Sequence, residues 1–492
     1  MTEQLFHRVL KASLVCCLAV ILTGCEELFN ALDNPIQTFI SMTTTDVKLT
    51  VGDTYQRQAT TVSPATVVYS SSDATVATVD ANGVVTGVAA GEATITASVA
   101  AVDYWTAASV SYKVIVKPAF VAATDIALDQ TMKVIKLGGD ALTITATTVP
   151  SDANYTWESD AAAIATVDET GKVTPVGVGI ATITAKSGDV KATCKIFVGN
   201  EVALASSNYT VQNYDILKGN LLSGKSITIP DGVNVAFDGI TTDQTVTCEG
   251  DATIYLTDGS TNTVDVSSVD NQPGIEVGPT DKTLTIDAET AGDGILTAKG
   301  GQYGAGIGTG DSPSSGGNIT INGGTVNATG GINGAAIGTG DAYSTINTCG
   351  AITINGGTVN ATGGGYGAGI GTGRAYAISG DATAECGNII IAGGTVIATG
   401  GNKGAGIGTG VTDAPHPGKT ASQTCGAITI GTGVTSVTAT KGSSAPYSIG
   451  VGYKYNSGGP ENQICGTITI GGDATTYAAG VAASPFTYPT AP

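Results

Sequence analysis

The sequence predicts an all-β chain: two tandem antiparallel β-sandwiches followed by a right-handed parallel β-helix, a solenoid. Three observations carry this. The 492 residues include 70 Gly, with 5% aromatic and 13% charged residues, a composition suited to short strands and tight turns. Residues 69–97 and 157–185 repeat one another without a gap. Beyond residue 200, a glycine-rich heptapeptide returns again and again.

The chain opens on MTEQLFHRVLKASLVCCLAVILTGCEE, in which Arg8 and Lys11 precede the apolar run Ala12 to Leu22. That run suits a signal-peptide core and is too short to span a bilayer. It ends in Leu22-Thr23-Gly24-Cys25. The tetrapeptide resembles the lipobox of bacterial lipoproteins, and the resemblance implies that 1–24 is a signal peptide and that Cys25 carries the lipid. Residues 25–42 then read as an N-terminal linker. Glu26 and Glu27 are similar to the acidic export tag of some surface lipoproteins in Bacteroides-like bacteria. The expected location is therefore the cell envelope, lipid-anchored in the outer membrane and facing the exterior. A net charge of −20 argues against a nucleic-acid partner and against polybasic membrane attachment.

The duplicated stretches are YSSSDATVATVDANGVVTGVAAGEATITA and WESDAAAIATVDETGKVTPVGVGIATITA. Short alternating runs break at Asp80-Ala81-Asn82-Gly83 and at Asp168-Glu169-Thr170-Gly171, which is strand, turn, strand. These residues resemble the bacterial Ig-like group 2 domain, over 43–117 and 123–199. The resemblance implies two Ig-like β-sandwiches that act as spacers or presentation modules and carry no catalysis. Cys194 has no partner cysteine within its module and reads as a small buried hydrophobe.

Residues 205–480 change pattern, and 481–492 follow as a C-terminal tail. GAGIGTG at 304 returns at 334 (GAAIGTG), 367 and 404, and decays to SIGVGYK at 448. Between the copies sits ITINGGTVNATGG or a variant of it, at 319, 352, 389, 428 and 468. A phosphate-binding loop occurs once, between a strand and a helix, so a motif repeated without helices is structural. Three short alternating segments per repeat describe one coil of a parallel β-helix, with six to eight coils expected. The pattern resembles the Gly-rich β-helical carbohydrate-binding domain proteins secreted by gut and cellulolytic bacteria, which implies a polysaccharide or cell-surface glycan as partner. Cys349, Cys386, Cys425 and Cys465 each precede Gly and should stack at one corner; a buried thiol ladder, disulfides and a metal are the open readings.

Between each Gly-Thr-Gly and the next Ile-rich strand the connection lengthens along the chain: 311–318, 341–351, 374–388 and 411–427. Connections that grow along one edge of a solenoid make a wall, and insertions on one face often mark a binding face. The candidate ligand-binding residues are Tyr343, Tyr376, Arg374, Asp381 and Asp413, since tyrosines offer flat faces to sugar rings and carboxylates suit hydroxyls. Asp311 and Asp341 follow equivalent corners and are candidate ligands for Ca²⁺, the one cofactor considered. With His416 the only histidine after the signal region, no catalytic residues are assigned.

The expectation is a non-enzymatic surface lipoprotein presenting a glycan-binding or adhesive β-helix on Ig-like spacers. A polysaccharide lyase or glycoside hydrolase working through paired carboxylates, and a purely structural display rod, are the alternatives. Replacing Cys25 with Ser should move the protein from the membrane fraction to the soluble fraction of its native host. Persistent membrane association of that variant would contradict the lipid anchor.

Overall fold

Glycine-punctuated, β-branched segments too short for helices do form strands throughout. The computed structural model describes residues 35–489 except 206, 222–223, 290–292, 312–313, 474–476 and 478–479. The expected signal peptide and Cys25 lie outside the described residues. Among the described residues no helix is long and apolar enough to cross a membrane. The chain divides into two compact units, one ending at Val121 and the other beginning at Ala122.

The first unit holds one sandwich. Val47–Thr50, Ala108–Lys117, Gly91–Val99 and Val68–Ser71 make a four-stranded sheet, and Thr54–Gln56, Val84–Gly87 and Ala77–Val79 a three-stranded one. Alternation along Gly91–Val99 turns Ala93, Ile95, Ala97 and Val99 inward, where Ala93 and Ile95 meet Val85, Tyr112, Val114 and Val116. At the Asp80 turn, Asp80 Oδ1 accepts the N–H groups of Asn82 and Val84, both at 2.8 Å. Ile40 and Ser41, expected in the linker, already pair with Thr61 and Thr60.

The second sandwich, in the second unit, repeats this turn. Asp168 Oδ1 accepts N–H from Thr170 at 2.8 Å and from Lys172 at 3.1 Å. Cys194 lies fully buried in its core as a free thiol. Burial pushes its pKa up to about 12.

The sandwich does not end where the solenoid begins. Val190–Ala203 is one continuous 14-residue strand. Its first part pairs antiparallel with Gly179–Ser187, its middle pairs parallel with Met132–Lys136, and Asn200–Ala203 pair parallel with Asp215–Lys218 of the first coil. Met132, Phe197, Ile216, Ala236 and Tyr255 pack together across this junction. Lys133 Nζ reaches Asp258 at 2.6 Å and Glu289 at 3.2 Å, and Glu289 also accepts the Val134 N–H. The second sandwich therefore caps the N-terminal end of the solenoid, filling the place of a preceding coil.

Each coil contributes a strand to each of three faces. One face is a nine-stranded sheet from Tyr209–Thr210 to Ile449–Gly450, so the described residues make nine coils, against the six to eight expected. The first four coils carry Tyr209–Thr210, Ile227–Ile229, Val246–Cys248 and Ile275–Glu276 where later coils carry the heptapeptide. Pairing is parallel and in register. Ile307, Ile337, Ile370, Ile407 and Ile449 stack as one fully buried column. Outside the core, Asn360 Nδ2 donates to Asn327 Oδ1 at 2.8 Å in the next coil. At the far end, Phe486–Tyr488, within the expected tail, pair antiparallel with Ser436–Thr440 and cover the exposed strand edge.

The heptapeptide's glycines are required by the stacking. Gly371 has φ +132, and a Cβ there would stand 1.8 Å from the Gly408 carbonyl oxygen. Its counterparts in neighbouring coils are all glycine. The third position is less demanding, since Ala336 stands where Gly306 and Gly369 do in other copies. Gly371→Ala should therefore cost about 3 kcal/mol or more, from backbone strain and steric overlap. Gly306→Ala, which copies the residue at 336, should cost distinctly less. Chemical-denaturation curves of the two variants provide the comparison, and equal losses would contradict this assignment.

Candidate functional site

The lengthening connections are not irregular loops. They fold into a fin of two further parallel sheets. Ser314–Ser315, Ile346–Cys349, Ala382–Cys386, Ala421–Cys425 and Glu461–Cys465 form one, and Ala342–Tyr343, Ala375–Tyr376 and Thr412–Asp413 the other. The interior between them is alanine: Ala342, Ala375, Ala377, Ala382, Ala384, Ala414 and Ala421 are all buried. Side chains this small let the two sheets approach closely. Buried amides fasten the fin to the heptapeptide backbone. Asn347 Nδ2 donates to the carbonyls of Gly310 (2.9 Å) and Asp341 (3.0 Å), and Gln423 Nε2 donates to that of Val411 (3.1 Å).

In-register pairing places Tyr343, Tyr376 and Asp413 in one row on the outer sheet. The two rings meet edge to face, with centroids 5.4 Å apart, and Tyr343 is 44% exposed. Arg374 stacks its guanidinium 3.6 Å from the centroid of Tyr376 and 5.4 Å from that of Tyr366, a cation–π arrangement. It also approaches Asp413 Oδ2 at 3.7 Å, and Asp413 accepts a hydrogen bond from Ser457 Oγ at 2.7 Å. Four of the five expected ligand-binding residues thus form one group. Asp381 does not join it. It lies exposed at the turn before Ala382–Cys386, where its Oδ1 accepts the Thr420 N–H at 2.8 Å.

Tyr366, Lys403, Tyr453 and Tyr455 were not anticipated from the sequence. Lys403 Nζ lies 4.0 Å from the Tyr455 centroid, 5.2 Å from Tyr366 and 5.6 Å from Tyr453. The signal was present, because Tyr303, Asn333, Tyr366 and Lys403 each stand immediately before a heptapeptide. The heptapeptide closes on itself, as in the Ala368 N–H to Thr372 O bond of 3.0 Å, and brings the residue before it against the residue after it. Tyr366 thereby faces Arg374, and Asn333 faces Asp341.

Asp341, expected as a Ca²⁺ ligand beside Asp311, is fully buried. Its Oδ2 accepts Asn333 Nδ2 at 2.7 Å, while its Oδ1 is buried without a hydrogen bond. Burial raises its pKa from 3.8 to about 7; the charge of Arg374 and the Asn333 hydrogen bond oppose the rise, and Asp311 adds to it. A carboxyl drawn toward its neutral form beside an arginine is a poor cation ligand. Among the described residues, no group of three or more His, Cys, Asp and Glu converges to hold a metal ion. Asp341 also offers no surface to a substrate. A shallow groove of about 240 Å³ opens elsewhere, lined by Asn234, Asp251, Thr253, Thr283 and Thr285 among others. It has neither an aromatic ring nor a cation in its lining and is smaller than ordinary ligand pockets, so the fin is the better candidate.

Comparison with known proteins agrees with this architecture. Two segments match the bacterial Ig-like domain (group 2). They are residues 36–107 and 122–197. Residues 319–341, 352–374 and 389–411 match the beta helix repeat, each segment running from an Ile-rich strand to the residue after Gly-Thr-Gly. No curated protein matches the chain. Among solved structures, mouse cadherin-23 EC22-24 is 15% identical, covering 34% of this chain and 66% of that one at a TM-score of 0.18. The S-layer protein rSbsC(31-844) is 22% identical, covering 31% of this chain and 23% of that one at a TM-score of 0.15. This chain thus spans under two thirds of each, and at such TM-scores the likeness carries no argument.

The buried carboxyl gives a test with a definite sign. A raised pKa means that the folded state holds the proton more tightly than the unfolded state. The contribution of Asp341 is therefore most favourable below 3.8 and is lost as pH rises through about 7. Asp341→Asn, which imitates the protonated form, should match wild type in acid and exceed it at alkaline pH by on the order of 2–4 kcal/mol. Unfolding free energies of both proteins across this range provide the check, and a gap that does not widen with pH would contradict it.

Proposed function

We propose that this chain is an extracellular, lipid-anchored display protein whose fin binds a glycan without chemically altering it. In this reading Cys25 holds the protein to the outer membrane and the Ig-like domains carry the β-helix outward. The observation that carries the reading is the row Tyr343, Tyr376 and Asp413 with Arg374 stacked beside it. An exposed ring next to an oriented guanidinium and carboxylate matches what a pyranose presents: an apolar ring face and hydroxyls at its rim. Members of the row stand at the coil spacing of about 4.8 Å, on the scale of one sugar ring. A chain laid along the solenoid axis would meet the two rings in succession and then the Asp413 carboxylate.

Support for the extracellular setting comes from the combination of Ig-like domains with β-helix repeats, both found in adhesion and display proteins. In the same reading no catalytic group is assigned: Asp341 is enclosed in the protein and Asp311 is half-buried at the preceding corner.

Full-length protein should be retained by at least one member of a panel of immobilised plant and host polysaccharides. Replacing both Tyr343 and Tyr376 with Ala should weaken that retention by about 2 kcal/mol or more, roughly thirtyfold, with the circular dichroism spectrum unchanged. Undiminished binding by the double variant would remove the fin as the site. Failure of wild type to bind any member would favour the display-rod reading instead.

A further inference from the structure

The fin's inner sheet carries one cysteine per coil. Cys349, Cys386, Cys425 and Cys465 are register partners in succession. The place one coil earlier is Gly316, following the pairing of Ser315 with Thr348. At the other end, Glu461–Cys465 is the last strand of its sheet among the described residues, so Cys465 has a register partner on one side only. All four are free thiols. Cys349, Cys386 and Cys425 lie in the solenoid core, whereas Cys465 is partly exposed.

Cα atoms of in-register parallel partners stand about 4.8 Å apart, inside the span of roughly 4.4–6.8 Å that a disulfide bridges. Parallel Cα–Cβ vectors hold the sulfurs side by side, and closing a bond requires one strand to shift toward the other. Cys386 is clamped by a coil on each side. The strand of Cys465 is clamped on one side only and has room to move. The Cys349 thiol donates to the Gly317 carbonyl at 3.8 Å and that of Cys386 to the Gly350 carbonyl at 3.9 Å.

We propose that Cys425 and Cys465 are a redox pair that closes into a disulfide stapling the last two coils, while Cys349 and Cys386 stay reduced in the folded protein. The oxidant is a protein or small-molecule disulfide reaching the chain outside the cytoplasm. The Cys465 thiolate attacks one sulfur of that disulfide, whose other sulfur departs as a thiolate. Cys425 then loses its proton and attacks Cys465, displacing the remaining oxidant sulfur as a second thiolate. Two electrons pass from the protein to the oxidant, which ends as two thiols, and one S–S bond forms in the protein. The order follows access, because Cys465 is the member an oxidant can reach. Its contact with Cys465 and its burial hold the Cys425 thiol well above the ordinary thiol range until the mixed disulfide forms beside it. The staple falls where the solenoid needs it, since a terminal coil has one stabilising neighbour instead of two.

The test uses full-length reduced protein and oxidised glutathione, with alkylation and non-reducing peptide mapping over time. The expected first product is an intramolecular Cys425–Cys465 link, with Cys349 and Cys386 alkylated as free thiols after denaturation. Cys465→Ser should abolish this product and leave Cys425 reduced. Amide exchange in Glu461–Cys465 and Ile468–Ile470 should slow roughly tenfold or more in the oxidised protein. Thiols that stay free in the folded protein but oxidise in urea would overturn the proposal. So would a stable glutathione adduct on Cys465, a first link between Cys386 and Cys425, or a first link between molecules.

Discussion

In-register parallel pairing is the constraint from which the rest of the second unit follows. Each residue of the solenoid has as its nearest neighbour the residue at its own position one coil away, at about 4.8 Å. Apolar positions therefore become continuous columns, as from Ile307 to Ile449, and amides become ladders, as at Asn327 and Asn360. Requirements propagate as well. A positive φ at Gly371, with the Gly408 carbonyl where a Cβ would lie, makes the choice at one coil depend on the next. Like charges cannot share a row cheaply, and the position after Gly-Thr-Gly runs Asp311, Asp341, Arg374, Val411, Tyr453. Where two acidic residues do follow one another, one is buried and its carboxyl is pushed toward neutrality.

Stacked coils leave two open ends, and this chain closes them by different means. At the C-terminal end Phe486–Tyr488 reverse direction and pair antiparallel with Ser436–Thr440. At the N-terminal end the cap is a whole domain. Because Val190–Ala203 belongs to both the sandwich and the first coil, the backbone hydrogen bonding runs through the boundary without a linker. Lys133 with Asp258 and Glu289 ties the sandwich to later coils, and removing Lys133 would leave the Glu289 carboxyl buried without its cation. The second Ig-like domain is thus an integral part of the solenoid's fold.

Much of this was legible in the sequence because repetition makes pattern visible. The gapless repeat located both sandwiches and their Asp-initiated turns, and the heptapeptide and Ile-Thr-Ile phrases located the later coils. Legibility failed where the governing contact joins residues distant in sequence. Asn200-Glu201-Val202-Ala203 reads as a polar connection until its partner Asp215–Lys218 is known. The fin's strands are alanine, serine and threonine, too weakly apolar to announce a core, and they read as loops. Tyr366 and Lys403 became relevant only when the heptapeptide was seen to fold back and set them against Arg374, Tyr453 and Tyr455. Asp341 was expected on an exposed wall, and nothing local signals that Asn333 and the coil above enclose it. The early coils lack the heptapeptide, which is why the coil count was low.

The second sandwich and the β-helix share the strand Val190–Ala203 and fold as one body. Native-state hydrogen exchange on the full-length protein tests it most directly. Amides along Ile196–Ala203 should open with the same free energy as those of Asp215–Asn220 and Gly179–Ser187, in a single cooperative event. Exchange of Asn200–Ala203 at the rate of an unprotected linker, with the sandwich and the coils opening independently on either side, would contradict the account.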